Sequence, residues 1–154
     1  MTDSTASLVD QLGAGLTGLE QLRKMVALGG RPPIADTLDF QLVEVDEGRA
    51  VFEGTPSAKV YNPMGIVHGG YAATLLDSAC GCAVHSRLSV DQAYTTLELK
   101  VAYHKAITKD TGLLRAEGRV LTFGRRAGFA EATLKDSTGK LYASATSTLL
   151  VMEK

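Results

Sequence analysis

Between Asn62 and Ser86 the chain reads NPMGIVHGGYAATLLDSACGCAVHS, and from Tyr71 to Val84 nearly every residue is small or apolar. A helix of that composition has no polar face to offer water and is expected to be buried all round. It carries a single formal charge, Asp77. Taking an isolated carboxylate out of water costs several kcal/mol even after relaxation, so Asp77 must be hydrogen-bonded, protonated or put to use.

The start of the same segment sharpens the question. A glycine pair, Gly69-Gly70, follows His68. N–H groups at a helix start are ready donors to a developing oxyanion, with the positive end of the helix dipole behind them, and glycine lets a ligand approach closely. Gly69 and Asp77 are eight residues apart, which is about 12 Å along the axis at about 1.5 Å per residue. One small reacting group cannot touch both. If they serve one site, two chains must meet there, and antiparallel pairing of this helix with its copy across a twofold axis would bring the Gly69 end of one chain near Asp77 of the other.

The rest of the chain supplies a wrapping for that helix. At 154 residues it is one domain by length, long enough to bury roughly 68–70% of its unfolded surface. Residues 1–35 read as a polar tail and a covering helix, and residues 36–154 as the domain proper. In the first part, Leu8, Leu12, Leu19, Leu22 and Val26 fall near one helical face. Thr17 and Glu20 form a capping-box pattern, so the firmer helix spans about Gly18 to Leu28 and stops at Gly29-Gly30 before Pro32-Pro33. Strands are expected from Asp39 to Val45 and near Arg49 to Gly54, joined by a turn at Asp46-Glu47-Gly48. Beyond the helix lie four segments rich in Thr, Val, Leu and aromatics: Ala93 to Ala106, Gly112 to Phe123, Ala127 to Lys135 and Lys140 to Val151. Turn residues at Lys109-Asp110, Gly124-Arg125 and Asp136 to Gly139 join them closely. The expectation is an α+β fold, one antiparallel sheet wrapped around one apolar helix.

Composition excludes several functions. With 16 basic against 17 acidic residues the net charge is −1, which lacks the basic excess of a nucleic-acid footprint. Neither a membrane span nor a secretory leader is visible, and a cytoplasmic location is expected. Cys80 and Cys82 would point about 200° apart on a helix, cannot pair within the chain, and read as reduced core residues. The motifs of serine hydrolases, phosphate-binding loops and zinc peptidases are absent. His68, His85, His104 and the two cysteines have no clustered ligand spacing, so neither a metal nor a cofactor is expected.

Asn62, Gly65, His68-Gly69-Gly70, Leu76, Asp77 and Ala79 make the pattern N-x-x-G-x-x-H-G-G-x-x-x-x-x-L-D-x-A. In order and spacing this resembles the signature of hotdog-fold acyl-CoA thioesterases, from about Asp39 to Val151. The phenylacetate-degradation (PaaI) type is the nearest group; one branch of the 4-hydroxybenzoyl-CoA thioesterases is similar but has Glu where this chain has Asp77. The resemblance implies a hotdog fold, an acyl-CoA substrate, a homodimer as the active unit and a tetramer as the assembly. It also implies roles. Asp77 would be nucleophile or general base, Gly69 the oxyanion donor through its N–H, and Asn62 a binder of the carbonyl or of water. Thr96 would hydrogen-bond the attacking water, His68 would support the site, and Gly70 would lie against the substrate. Coenzyme A carries several phosphate charges, so basic residues are expected near the pocket mouth: Arg87, Lys100, Lys105 and above all the pair Arg125 and Arg126. A non-catalytic acyl-CoA binding or sensing domain is the alternative. Its pocket could dispense with the carboxylate that this chain keeps.

Overall fold

The computed structural model describes residues 7–154; the start of the expected polar tail lies outside them. Three helices, α1 (Leu8–Gln11), α2 (Gly18–Leu28) and α3 (Pro33–Leu38), precede the hairpin β1 (Phe40–Asp46) and β2 (Arg49–Gly54). Then come the long helix α4 (Gly69–His85) and four strands, β3 (Gln92–Tyr103), β4 (Leu114–Phe123), β5 (Ala127–Asp136) and β6 (Leu141–Glu153). All six strands form one antiparallel sheet in the order β1-β2-β4-β5-β6-β3. The chain thus leaves β2, runs through α4 across the concave face, and lays β3 on the far edge before filling in the middle.

Burial of α4 holds this arrangement together. Leu75, Leu76, Ala79, Cys80, Ala83 and Val84 are fully buried against Ala116, Leu134, Ala143 and Leu149 of the sheet. The approach is closest at Gly118 in β4, where a Cβ would lie 2.2 Å from the Ala79 carbonyl oxygen. No side chain fits there, so glycine sets how deeply the helix sits in the sheet.

The expectation that α4 is buried all round needs correction. Gly70 is exposed, and Ala73, Thr74, Asp77, Ser78, Cys82 and His85 are only partly buried. These positions recur at the three- and four-residue spacing of one helical face. A single sheet curls round the other side of the helix, and this stripe of small and polar residues is what one chain leaves uncovered.

Two local features also depart from expectation. Pro32-Pro33, expected only to follow the stop at Gly29-Gly30, opens α3, with Pro at its first helical positions and Asp39 closing it in the left-handed conformation, φ 54°. Proline is pre-organised for a helix start, since its missing N–H would have no helical partner there. Within β3, Thr96 pairs with Leu149 but Glu98 pairs with Thr148, so Leu97 is the extra residue of a β-bulge.

The N-terminal helix covers the end of α4. Thr17 and Glu20 form the expected capping box, and Gly29 ends α2 with φ 64°. The Gly18 N–H donates to the Leu88 carbonyl at 3.0 Å, and the buried Gln21 Oε1 lies 2.8 Å from His85 Nε2. The His85 ring also meets Tyr94 edge to face, 5.6 Å between centroids.

Two stability predictions follow from these contacts. Gly118→Ala forces a methyl into the α4 main chain and should cost about 3 kcal/mol or more in urea unfolding, the upper end for overpacking. Gly128→Ala, where a Cβ would meet side chains alone, the Val84 methyls at 3.0 Å and 3.1 Å and the Phe123 ring at 3.5 Å, should cost less. Burial, with Lys154 nearby, pushes the His85 imidazole down to about 4 from 6.5. The folded chain therefore holds it neutral, and protonation favours the unfolded chain. That stabilisation is complete above pH 6.5 and is lost as the pH falls towards 4. His85→Gln should remove roughly 2 kcal/mol of the loss measured between pH 7 and pH 4.5; identical pH curves would rule the residue out as its source.

Candidate active site

Asp77 lies midway along α4 on its partly open stripe. The Thr96 hydroxyl donates to its Oδ1 at 3.1 Å. Thr96 reaches it because the Leu149 pairing turns this residue of β3 towards the helix. The carboxylate is thus held by one neutral donor and has no ion-pair partner among the described residues. A carboxylate so placed keeps a free oxygen for accepting a proton or attacking carbon.

The second group of predicted residues lies at the helix start. Asn62, His68, Gly69 and Gly70 line a cleft of about 540 Å³, closed on the other side by Tyr103, His104, Lys105 and Ile107. Each residue is fixed by main-chain contacts. The Val67 N–H donates to Ile107 at 2.9 Å and the His68 N–H to Val60 at 2.8 Å. Asn62 Oδ1 accepts from the N–H groups of Met64 and Ile66 at 3.0 Å and 3.3 Å, so its side-chain nitrogen is the donor left for anything in the cleft. His68 is the N-cap of α4, and its Nδ1 accepts the Gly70 N–H at 2.8 Å. That bond places the neutral ring's proton on Nε2. It also occupies the Gly70 donor and leaves the Gly69 N–H as the free one at the positive end of the helix.

Asp77 and Thr96 do not line this cleft. One chain therefore holds the two halves of the predicted constellation apart: a carboxylate with its threonine, and a glycine N–H with its asparagine.

The basic candidates separate by environment. Arg87 is engaged, with Nε 3.3 Å from Glu47 and its guanidinium 5.4 Å from the centre of the Phe123 ring. Lys100 lies in a hollow lined by Glu131, Thr133, Ser144 and Thr146. Lys105 lines the Gly69 cleft, and the neighbouring Lys140 ammonium lowers its pKa. Arg125 and Arg126 border a separate hollow of about 390 Å³ with Leu150 to Glu153, and neither forms an ion pair among the described residues. The remaining arginines of the sheet are paired. Arg49 binds Glu44, Asp46 and Glu117, and Arg115 binds Glu44 and Glu53.

Tyr103 and His104 belong to the cleft and were not legible as site residues. Tyr103 looks like one more aromatic at a strand end, and only its position over Gly69 distinguishes it. The cysteines are unpaired thiols, each pushed up to about 12 chiefly by burial, far from the range of a nucleophilic thiolate.

Comparisons with known proteins give the family and the fold. The thioesterase superfamily matches residues 64–143, just over half of the chain. The chain is 28% identical over 121 residues to 1,4-dihydroxy-2-naphthoyl-CoA hydrolase of Listeria monocytogenes, spanning 79% of this chain and 97% of that protein. Its fold is similar to that of a thioesterase family protein from Silicibacter pomeroyi, with a TM-score of 0.76 and 26% identity over 86% of this chain and 96% of that one. It is also like the PaaI protein of the Escherichia coli phenylacetic acid degradation operon, with a TM-score of 0.73 and 22% identity over 82% and 88% of the two chains, a likeness of fold alone. The superfamily match begins at Met64, just after Asn62, and ends at Ala143 in β6, taking in the helix start, Asp77 and Thr96; the chain belongs to the thioesterase superfamily and has its hotdog fold.

Proposed function

We propose that this thioesterase hydrolyses acyl-CoA thioesters in a site built from two copies of the chain. Asp77 and Thr96 come from one copy, and Asn62 and the Gly69 N–H from the other. The observation that carries the reading is the separation of these two halves within one chain, on the same incompletely covered side. β3 is an edge strand, and pairing it antiparallel with its copy would set the Tyr103 end of one strand beside the Gln92 end of the other. The Gly69 cleft of one chain would then face Asp77 of its partner, with the exposed stripes of the two α4 helices closing on each other.

The chemistry is a single acyl transfer to water. The thioester carbonyl carbon is attacked, its oxygen takes up negative charge against the Gly69 N–H with Asn62 alongside, and the C–S bond breaks to release coenzyme A and the free acid. Asp77 either takes the proton of an attacking water oriented by Thr96 or attacks the carbonyl itself, forming an anhydride that water then opens. Single turnover in ¹⁸O water separates the routes, because only direct attack leaves solvent label in the enzyme carboxylate. His68 acts through the Gly70 N–H to hold the helix start. Lys105 on the cleft side, with Arg125 and Arg126 of the partner near the start of β3, would meet the phosphates of coenzyme A. The acyl group is assigned to the aromatic or medium-chain class, and the Listeria relative acts on an aromatic acyl-CoA.

Thiol release from phenylacetyl-, benzoyl-, naphthoyl- and medium-chain acyl-CoA tests the activity. No turnover of any of them, with binding retained, would make the chain an acyl-CoA binding domain instead. Asp77→Asn should keep the fold and lower kcat by at least about 10², the scale of a positioned base; near-normal turnover would remove Asp77 from the mechanism. The shared site has its own test. Asn62→Ala and Asp77→Asn should each be nearly inactive, but co-refolding equal amounts should place about half the dimers in mixed pairs, each with one undamaged site. Roughly a quarter of all sites should recover. Activity at the parental average despite proven exchange would mean that the groups do not meet across an interface.

A further inference from the structure

Tyr103 is more than half exposed, 55%, yet it is tied to the one glycine whose N–H the reaction needs. Its hydroxyl donates to the Gly69 carbonyl at 2.9 Å. The three atoms nearest to where a Gly69 Cβ would sit are all of the Tyr103 phenol, at 3.0, 3.0 and 3.2 Å. Gly69 has no positive φ, so backbone freedom does not explain the glycine. The space does, and Tyr103 fills it.

The strand is phased for this contact. Thr96 and Tyr103 are seven residues apart, and in a regular strand an odd separation puts two side chains on opposite faces. The extra residue at Leu97 restores the phase: Thr96 pairs with Leu149 and Tyr103 with Ala143, partners an even number apart on β6. Both residues therefore face α4, about 20 Å apart over six ladder steps at about 3.3 Å each. One end of β3 holds Asp77, and the other holds the start of the helix.

We infer that Tyr103 is a positioning residue for the Gly69 oxyanion donor: its ring packs on the Gly69 Cα and its hydroxyl anchors the Gly69 carbonyl, so that β3 fixes the direction of the neighbouring N–H. This rests on the thioesterase reading of the Gly69 cleft. The first turn of a helix frays readily, and its N1 residue has no intrahelical bond through its own N–H. A tether on the Gly69 carbonyl, with the ring against the Gly69 Cα, fixes the residue on the far side of the Cα from its own N–H, which the helix ladder leaves without a partner.

Four variants test it: Tyr103→Phe, Tyr103→Ala, Gly69→Ala, and Gly69→Ala with Tyr103→Ala. Tyr103→Phe keeps the ring and loses only the tether, so kcat should fall about three- to tenfold, the worth of one neutral hydrogen bond, with KM within about twofold. Gly69→Ala should lose at least about 10² in kcat/KM, on the scale of an oxyanion donor. The double variant should recover to the level of Tyr103→Ala, because the added methyl then has room. A double variant no better than Gly69→Ala, or a Tyr103→Phe enzyme with unchanged kcat, overturns the proposal. Thermal unfolding of the same four proteins is the readout independent of turnover. Gly69→Ala should lower the Tm with Tyr at position 103 and leave it nearly unchanged with Ala there, and additive Tm changes would refute the matched pair. A wild type that shows this coupling but hydrolyses no acyl-CoA would refute the thioesterase reading and, with it, a positioning role in catalysis.

Discussion

The contact between β4 and α4 at Gly118 sets the geometry on which the remainder depends. With no side chain at that position, the sheet closes onto the main chain at Ala79 and Cys80, and the apolar face of the helix is fully buried. A helix seated this deeply cannot slide or turn to hide its other stripe. Asp77 is therefore kept at a fixed height on a face that one chain does not cover, where Thr96 reaches it across the edge strand.

The edge strand is the second determinant. An unpaired strand at the end of a sheet is a liability unless it is covered, charged or paired with another copy. β3 has a bulge at Leu97, and residues on either side of it serve the middle and the start of α4. Bulges concentrate next to functional sites because one extra residue re-aims every side chain beyond it. Here the effect is specific: without it, either Thr96 or Tyr103 would face away from the helix.

Charge is distributed to match. The arginines on β2 and β4 are balanced by Glu44, Asp46, Glu53 and Glu117, which consumes positive charge within the sheet. Among the described residues, Lys105, Arg125 and Arg126 are left without such partners, and they stand near the two ends of β3. A bound polyanion would relieve the mutual repulsion of Lys105 and Lys140, which lowers the pKa of Lys105. Burial keeps both cysteines protonated, so neither is a thiolate nucleophile.

Much of this was legible in the residues. The glycine pair after a capping histidine, the apolar run with one aspartate, and the alternating strands with turn residues between them placed α4 and all six strands to within about three residues, since periodicity and turn chemistry are local properties. The order His68-Gly69-Gly70 and Asp77 likewise fixed which groups would lie at the helix start and at its middle, because helical rise depends on spacing alone. Other features depend on partners far along the chain. The bulge at Leu97 exists only relative to the register of β6, and Tyr103 meets Gly69 only because that bulge restores the strand's phase. Gly29 ends α2 and the Pro32-Pro33 pair beyond it opens a further short helix, because a proline that follows a helix stop is equally suited to begin the next helix. The open stripe of α4 carries the few polar residues of the helix, Thr74, Asp77, Ser78 and His85, but these are small or few enough to be buried with partners, and only the limited reach of a six-stranded sheet decides that this face goes uncovered.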